Sequence, residues 1–169
     1  MQERENKANQ AVFTLTRKTD YALIALCHMA RRPDEISTAR EIAERYHVPP
    51  ALLMNILKML TQAELVRSIR GSKGGYALAM PPDQINLEGI IRATEGPYRF
   101  VQCTAESTDD SRPCDLIDFC PISGPVRRVH AKLKAFLTDV TLAELAFDSR
   151  HGDEPVQLAI ASSARKEHE

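Results

Sequence analysis

The stretch Leu65-Val66-Arg67-Ser68-Ile69-Arg70-Gly71-Ser72-Lys73-Gly74-Gly75-Tyr76-Ala77-Leu78 alternates, turns and alternates again. Residues 65–70 and 76–79 carry the period-two pattern of strands, with the glycine-rich run 71–75 as the turn between them. The segment is therefore expected to be a β-hairpin with basic residues at its tip. Glycine there permits positive φ and lets the backbone approach another surface closely. A glycine-rich loop can also cradle phosphate, but this one joins two strands instead of opening a helix, which argues against a P-loop or dinucleotide site.

Upstream, the dense apolar run Tyr21 to Ala30 follows Thr16 and stops at Arg32-Pro33. Proline disfavours helix in the residue before it, so a first helix should end near Arg31. Thr38 and Glu41 have the spacing of a capping box, and Ala39, Ile42, Ala43 and Tyr46 repeat at helical spacing up to His47. Val48-Pro49-Pro50 is a turn, with Pro50 suited to the first position of a third helix. Leu53, Ile56, Leu57 and Leu60 form one stripe of that helix, and Ala51, Met54, Asn55 and Lys58 the other. Two short helices joined by a tight turn make a helix-turn-helix or a plain helical hairpin. The basic β-hairpin that follows decides for a winged helix-turn-helix, whose third helix enters the major groove while the wing reaches backbone or minor groove.

Downstream, Pro81-Pro82 closes the winged domain, and a short helix starts around Ile85 and ends near Glu95-Gly96-Pro97. From Gly124-Pro125 a long helix carries Val126, Val129, Leu133, Phe136, Leu137 and Val140 on one stripe. One helix beside a small winged domain cannot bury such a stripe, whereas a symmetric dimer can. The expected fold is mostly α with a small β-hairpin: a winged domain plus a long C-terminal dimerisation helix. Its divisions are a disordered arm 1–13, the DNA-binding domain 14–82, a connecting helix 83–98, a cysteine-bearing loop 99–124, the dimerisation helix and tail 125–148, and a flexible stretch 149–169.

The chain has 169 residues, 43% hydrophobic and 5% aromatic, without tryptophan, so its core must be aliphatic and helical packing is favoured. Its net charge of −1 hides an asymmetry. Residues 1–80 hold 12 lysines and arginines against 8 acidic residues, a net of +4, and the remainder carries −5. The basic half is the one expected to meet a polyanion. No apolar run is long enough to span a bilayer, and the charged N-terminus MQERENKANQ lacks an apolar signal core, so no membrane role and a cytoplasmic location are expected. The four cysteines are then not a disulfide frame.

Cys27, inside the apolar run, reads as a small buried hydrophobe. Cys103, Cys114 and Cys120 differ: they lie in a polar segment, with ten and then five residues between them. Thiolates in such a loop suit a soft metal centre, an iron–sulfur cluster or zinc. Free surface thiols are the alternative, and exposed thiols are an oxidation hazard. A Ser-His-Asp order, a paired-carboxylate pocket and a nucleotide fingerprint are all missing, so a regulator is expected and not an enzyme.

Residues 15–147 resemble the Rrf2 family of winged-helix regulators, which includes IscR-like and NsrR-like members. The resemblance rests on Leu15-Thr-Arg-Lys-Thr-Asp-Tyr-Ala-Leu23, on the wing Leu65 to Leu78 with its Arg-Gly-x-x-Gly-Gly-Tyr motif, on the three cysteines after Val101, and on Phe136-Leu-Thr-Asp-Val-Thr-Leu-Ala-Glu-Leu145. It implies a homodimer on palindromic double-stranded promoter DNA, and a loop holding an iron–sulfur cluster of two or four irons that reports iron, nitric oxide or redox state. The gap between the first two cysteines is longer than the family's usual one. The histidine that IscR-like members place three residues after the last cysteine is here Ser123. NsrR-like members use an aspartate near the start of the first helix, given by the other subunit, and that position matches Asp20. Read without the resemblance, Asp20 is a residue favoured at a helix N-terminus by the dipole.

The metal-site candidates are thus Cys103, Cys114, Cys120 and Asp20. The same DNA-binding module with a metal-free thiol–disulfide switch, or with a zinc site, is the alternative. The DNA-binding candidates are Arg17 and Lys18 before the first helix, Ala51, Met54, Asn55 and Lys58 on the third, and Arg67, Arg70 and Lys73 on the wing. Ala51, Leu52 and Met54 are apolar where IscR-type members carry polar base-reading side chains, so direct readout is expected to be sparse.

Overall fold

The apolar run condenses into α1 (Arg17–Ala30), started by the Thr16 hydroxyl, which accepts from the Lys18 backbone N–H. This computed structural model describes residues 15–71, 74–97, 115–116 and 119–147. Residues 1–13, Lys73, Cys103, Cys114 and residues 149–169 lie outside the described residues. Thr19, Ala22, Leu26 and Met29, spaced three and four apart, turn one face of α1 into the core. α2 (Ala39–Tyr46) follows with Thr38 as N-cap, accepting from the Glu41 N–H at 3.1 Å. Only half of the expected capping box forms. The Glu41 carboxylate instead meets Arg32 at 2.6 Å and lies 3.4 Å from Nε2 of buried His28. His28 also bonds the Tyr46 hydroxyl at 3.2 Å, so a polar knot ties α1 to α2. Burial, and then the Arg32 charge, hold the His28 imidazole below its ordinary pKa, which keeps it neutral in that knot.

His47 ends α2 in the left-handed region with φ 53, which histidine tolerates better than most side chains. The chain then enters α3 (Pro50–Gln62) with Pro50 in its first turn. Leu53, Ile56, Leu57 and Leu60 are fully buried, while Ala51, Met54, Asn55 and Lys58 are exposed. Truncating a buried leucine of this kind costs roughly 2–5 kcal/mol.

β1 (Val66–Ile69) and β2 (Gly75–Leu78) pair antiparallel, Val66 opposite Leu78 and Ile69 opposite Gly75. Gly71 supplies the expected positive φ, at 127°. Gly75 is needed for a different reason. Tyr76 exchanges two backbone hydrogen bonds with Ser37, at 3.0 and 2.8 Å, so β2 lies against the residue before the α2 cap. A Cβ on Gly75 would sit 2.6 Å from the Ser37 carbonyl oxygen and 2.7 Å from Cγ2 of Ile36. The surface that this glycine lets in is the protein's own.

The core runs on past residue 82. α4 (Leu87–Glu95), capped by the Asn86 side chain on the Gly89 N–H, packs on α1 and α3 and buries Ile90 and Ile91. α5 (Ser123–Asp139) packs on α4 and buries Leu137, while Val129 and Phe136 stay 50% and 38% exposed. The chain then returns as α6 (Leu142–Phe147), a helix where the sequence alone leads to the expectation of a tail. Leu142 and Ala146 enter the core beside α1, and the Arg31 guanidinium donates to the Ala146 carbonyl at 2.8 Å. The local signal was present: Thr141 and Glu144 form a reciprocal capping box, each side chain on the other's N–H at 3.2 and 2.9 Å.

Gly75→Ala should lower stability by about 1–3 kcal/mol, because the added methyl meets backbone and must push β2 off Ser37. Chemical denaturation checks this; an unchanged midpoint and slope would show that the wing does not rest on Ser37.

Candidate nucleic-acid interface and cysteine loop

Ala51, Met54, Asn55 and Lys58 stand at i, i+3, i+4 and i+7 on α3, opposite its buried stripe, and so form one outward face. The wing adds Arg67 on β1 and Arg70 just beyond it, both exposed. The Ser37–Tyr76 pairing holds this hairpin to the helix-turn-helix, so face and wing belong to one rigid unit. Arg40 on α2 is held by Glu44 one turn on, at 2.7 Å, which leaves that rim close to neutral. Leu52, half-buried, is turned partly inward and packs on the core.

The two basic residues at the start of α1 part company. Arg17 is exposed. Lys18 is half-buried, and its ammonium donates to the Thr94 carbonyl at 3.0 Å and lies 3.6 Å from the Glu95 carboxylate. Glu95 also accepts from the hydroxyls of Thr16 and of Thr19, the latter at 2.7 Å, and the Thr19 and Thr94 hydroxyls meet at 2.8 Å. Burial pushes the Glu95 carboxyl up, but the two threonine hydrogen bonds and the Lys18 charge together hold it below the usual carboxylate range.

This latch joins the first turn of α1 to the last turn of α4. No sequence pattern revealed it, since its partners lie 76 and 79 residues apart. Asp20 follows Thr19 in the same first turn and is exposed.

The cysteine-bearing loop leaves α4 immediately after Glu95, through Gly96-Pro97. It ends at Cys120, half-buried, whose carbonyl accepts from the N–H and hydroxyl of Ser123 at the start of α5. Among the described residues no three His, Cys, Asp or Glu side chains converge as a metal site, and Cys103 and Cys114 lie outside them. Cys27 is half-buried in α1, and burial pushes its thiol up, which suits a packing residue and not a reactive one. Among the described residues no helix is long and apolar enough to cross a membrane.

Glu95→Gln removes the charged acceptor and should cost about 1–2 kcal/mol at neutral pH. Because the folded pKa lies below the unfolded value of about 4.3, this stability is present above that value and is lost as pH falls through the folded one. Unfolding free energies of the two proteins should therefore approach each other as pH falls from about 4.3 through the folded pKa, and converge only below it. Curves that stay parallel through the whole acid range in which the protein remains folded would remove Glu95 from the latch.

A sequence profile describing an iron-dependent transcriptional regulator, Rrf2, matches residues 15–148. The chain is 40% identical over 90 residues to the HTH-type transcriptional regulator NsrR of Bacillus subtilis, a match covering 53% of this chain and 62% of that protein. Its fold is similar to IscR of T. potens, with TM-score 0.62, 26% identity, and 85% and 93% of the two chains covered. It is also similar to CymR, the global cysteine regulator of B. subtilis, with TM-score 0.60, 28% identity, and 79% and 96% covered.

Proposed function

The chain belongs to the Rrf2 family of transcriptional regulators, and on that premise we propose that it reads promoter DNA as a homodimer through α3 and the wing, under control of an iron–sulfur cluster held by its loop cysteines. The observation that carries the proposal is the placement of the loop. It starts at the Glu95 latch, which grips the first turn of α1, and ends at Cys120 at the head of α5. A change at the cysteines therefore pulls on the winged domain from one end and on the exposed stripe of α5 from the other.

The donor chemistry suits such a centre: Cys103, Cys114 and Cys120 offer three soft thiolate ligands, and exposed Asp20, given by the other subunit, is the candidate for a harder fourth. When bound, the cluster supplies a response to iron, nitric oxide or redox state. The chain's own groups do the rest. Lys18 and Glu95 hold the loop's origin, and Asn55, Lys58, Arg67 and Arg70 meet DNA, with Arg17 and Lys73 suited to phosphates. Lys18 reaches a phosphate only by leaving Thr94 and Glu95.

Similarity to a CymR fold favours a second reading, in which the cysteines switch as thiols without metal. Anaerobic purification with iron and sulfide analysis separates it, and also a zinc site, from the first. Cys103→Ala, Cys114→Ala or Cys120→Ala should abolish the cluster. Asp20→Ala should leave one with altered spectrum or stability, because a carboxylate on iron in a sulfide cluster is the more easily displaced ligand. Colourless protein without iron or sulfide contradicts the cluster, and stoichiometric zinc points to the structural site.

The dimer rests on the stripe of α5 whose Val129 and Phe136 remain open to solvent. Exchanging Leu133 and Phe136 for aspartate should yield monomers with little DNA affinity. Sedimentation that still shows a dimer would move the interface elsewhere.

A further inference from the structure

The outward face of α3 is polar at one end and apolar at its centre. Met54 is 49% exposed, next to exposed Ala51, and it forms one wall of a groove of about 490 Å³ between α2 and the head of α3. Ala39, Ala43, Val48 and Pro50 line the remainder, with Arg40 and Glu44 at the rim. Asn55 and Lys58 lie with Met54 on the same face, and β1 of the wing, which carries Arg67, packs on α3. A partner that suits this surface is polyanionic outside and offers an apolar group at its centre.

The major groove of duplex DNA offers one apolar group, the 5-methyl of thymine; all its other base edges are hydrogen-bond donors or acceptors. A thioether pressed on a guanine or cytosine edge strips water from polar atoms and returns no hydrogen bond. Pressed on a thymine methyl, it buries apolar area on both sides. The same side chain thus rewards one base and penalises the others. Neighbouring Asn55 has the donor and acceptor pair that matches adenine, which favours the same kind of base pair at the next contact.

We propose that Met54, backed by Ala51 and the groove behind it, selects thymine through its 5-methyl group. This inference rests on the DNA-reading function above and adds the base class that the third helix prefers. Reading by methyl contact also explains how a recognition face with few polar side chains discriminates sequence.

The test uses the full-length protein. Duplexes are selected from a randomised pool, and each thymine of a selected duplex is replaced in turn by deoxyuridine, which removes only the methyl. Affinities for wild type, Met54→Ala and Met54→Gln are measured at fixed salt. One symmetry-related pair of thymines should show a loss of about threefold to fivefold per methyl in wild type. Met54→Ala should bind the thymine and uracil duplexes alike, and Met54→Gln should shift the selected base. Selection that succeeds but yields no uracil penalty, or a penalty that persists in Met54→Ala, overturns the methyl contact alone. Failure to select any sequence overturns base reading by α3, and this inference with it.

Discussion

Two backbone hydrogen bonds between Ser37 and Tyr76 decide where the wing stands. A two-stranded hairpin is marginal on its own and takes its stability from what it packs against. Here β2 gains a second neighbour besides β1, the residue just before the α2 cap, and Gly75 makes room for it by having no side chain. The wing, the cap of α2 and the start of the helix-turn-helix thereby move together. Arg67 and Arg70 keep a fixed relation to Asn55 and Lys58, and a surface so fixed can hold one register on a duplex. Without this pairing the same residues would be a basic loop near a helix.

The second constraint is the closing of the core by elements distant in sequence. α4 and α6 complete a cavity that α1, α2 and α3 leave open, through Ile85, Ile90, Leu142 and Ala146. Between them the chain goes out along α5 and comes back, tied at both ends: Val140 and Thr141 meet Asn86 and Leu87, and Leu142 meets Ile85. The Glu95 latch fastens the other exit. The helix that carries the exposed stripe and the loop that carries the cysteines are therefore both rooted in the winged domain. The latch residues bear charge in a half-buried place, where each lost partner costs more than at the surface.

What was legible in the sequence was local. Thr38, Pro50 and the Leu53–Leu60 stripe announced the two helices of the reading unit, and the alternation around Gly71–Gly75 announced the wing, because caps, turns and periodicity act over a few residues. Long-range pairings were not legible. The glycine-rich turn implied close approach to another surface, and at Gly75 that surface is Ser37 of the same chain. Glu41 completed a capping-box pattern, but the Arg32 and His28 partners outcompete the backbone N–H for its carboxylate. Thr16, Thr19 and Glu95 carried no signal, since their meaning exists only once α1 and α4 are side by side. Lys18 looked like a free phosphate ligand for the same reason. The α6 capping box was visible and its docking was not, because Leu142 and Ala146 show their role only against α1.

In the proposed function, the state of the cysteine loop sets the affinity of the α3 and wing surface for DNA. The most direct measurement of this is the affinity of the wild-type protein for one selected duplex at fixed salt, under anaerobic conditions, with the iron–sulfur centre intact and after its removal. Coupled sites of this kind differ by about 5–150-fold between states, and a ratio in that range is the expected result. Equal affinities for protein with and without the centre would contradict the claim, and would leave the loop a passenger on a constitutive DNA-binding domain.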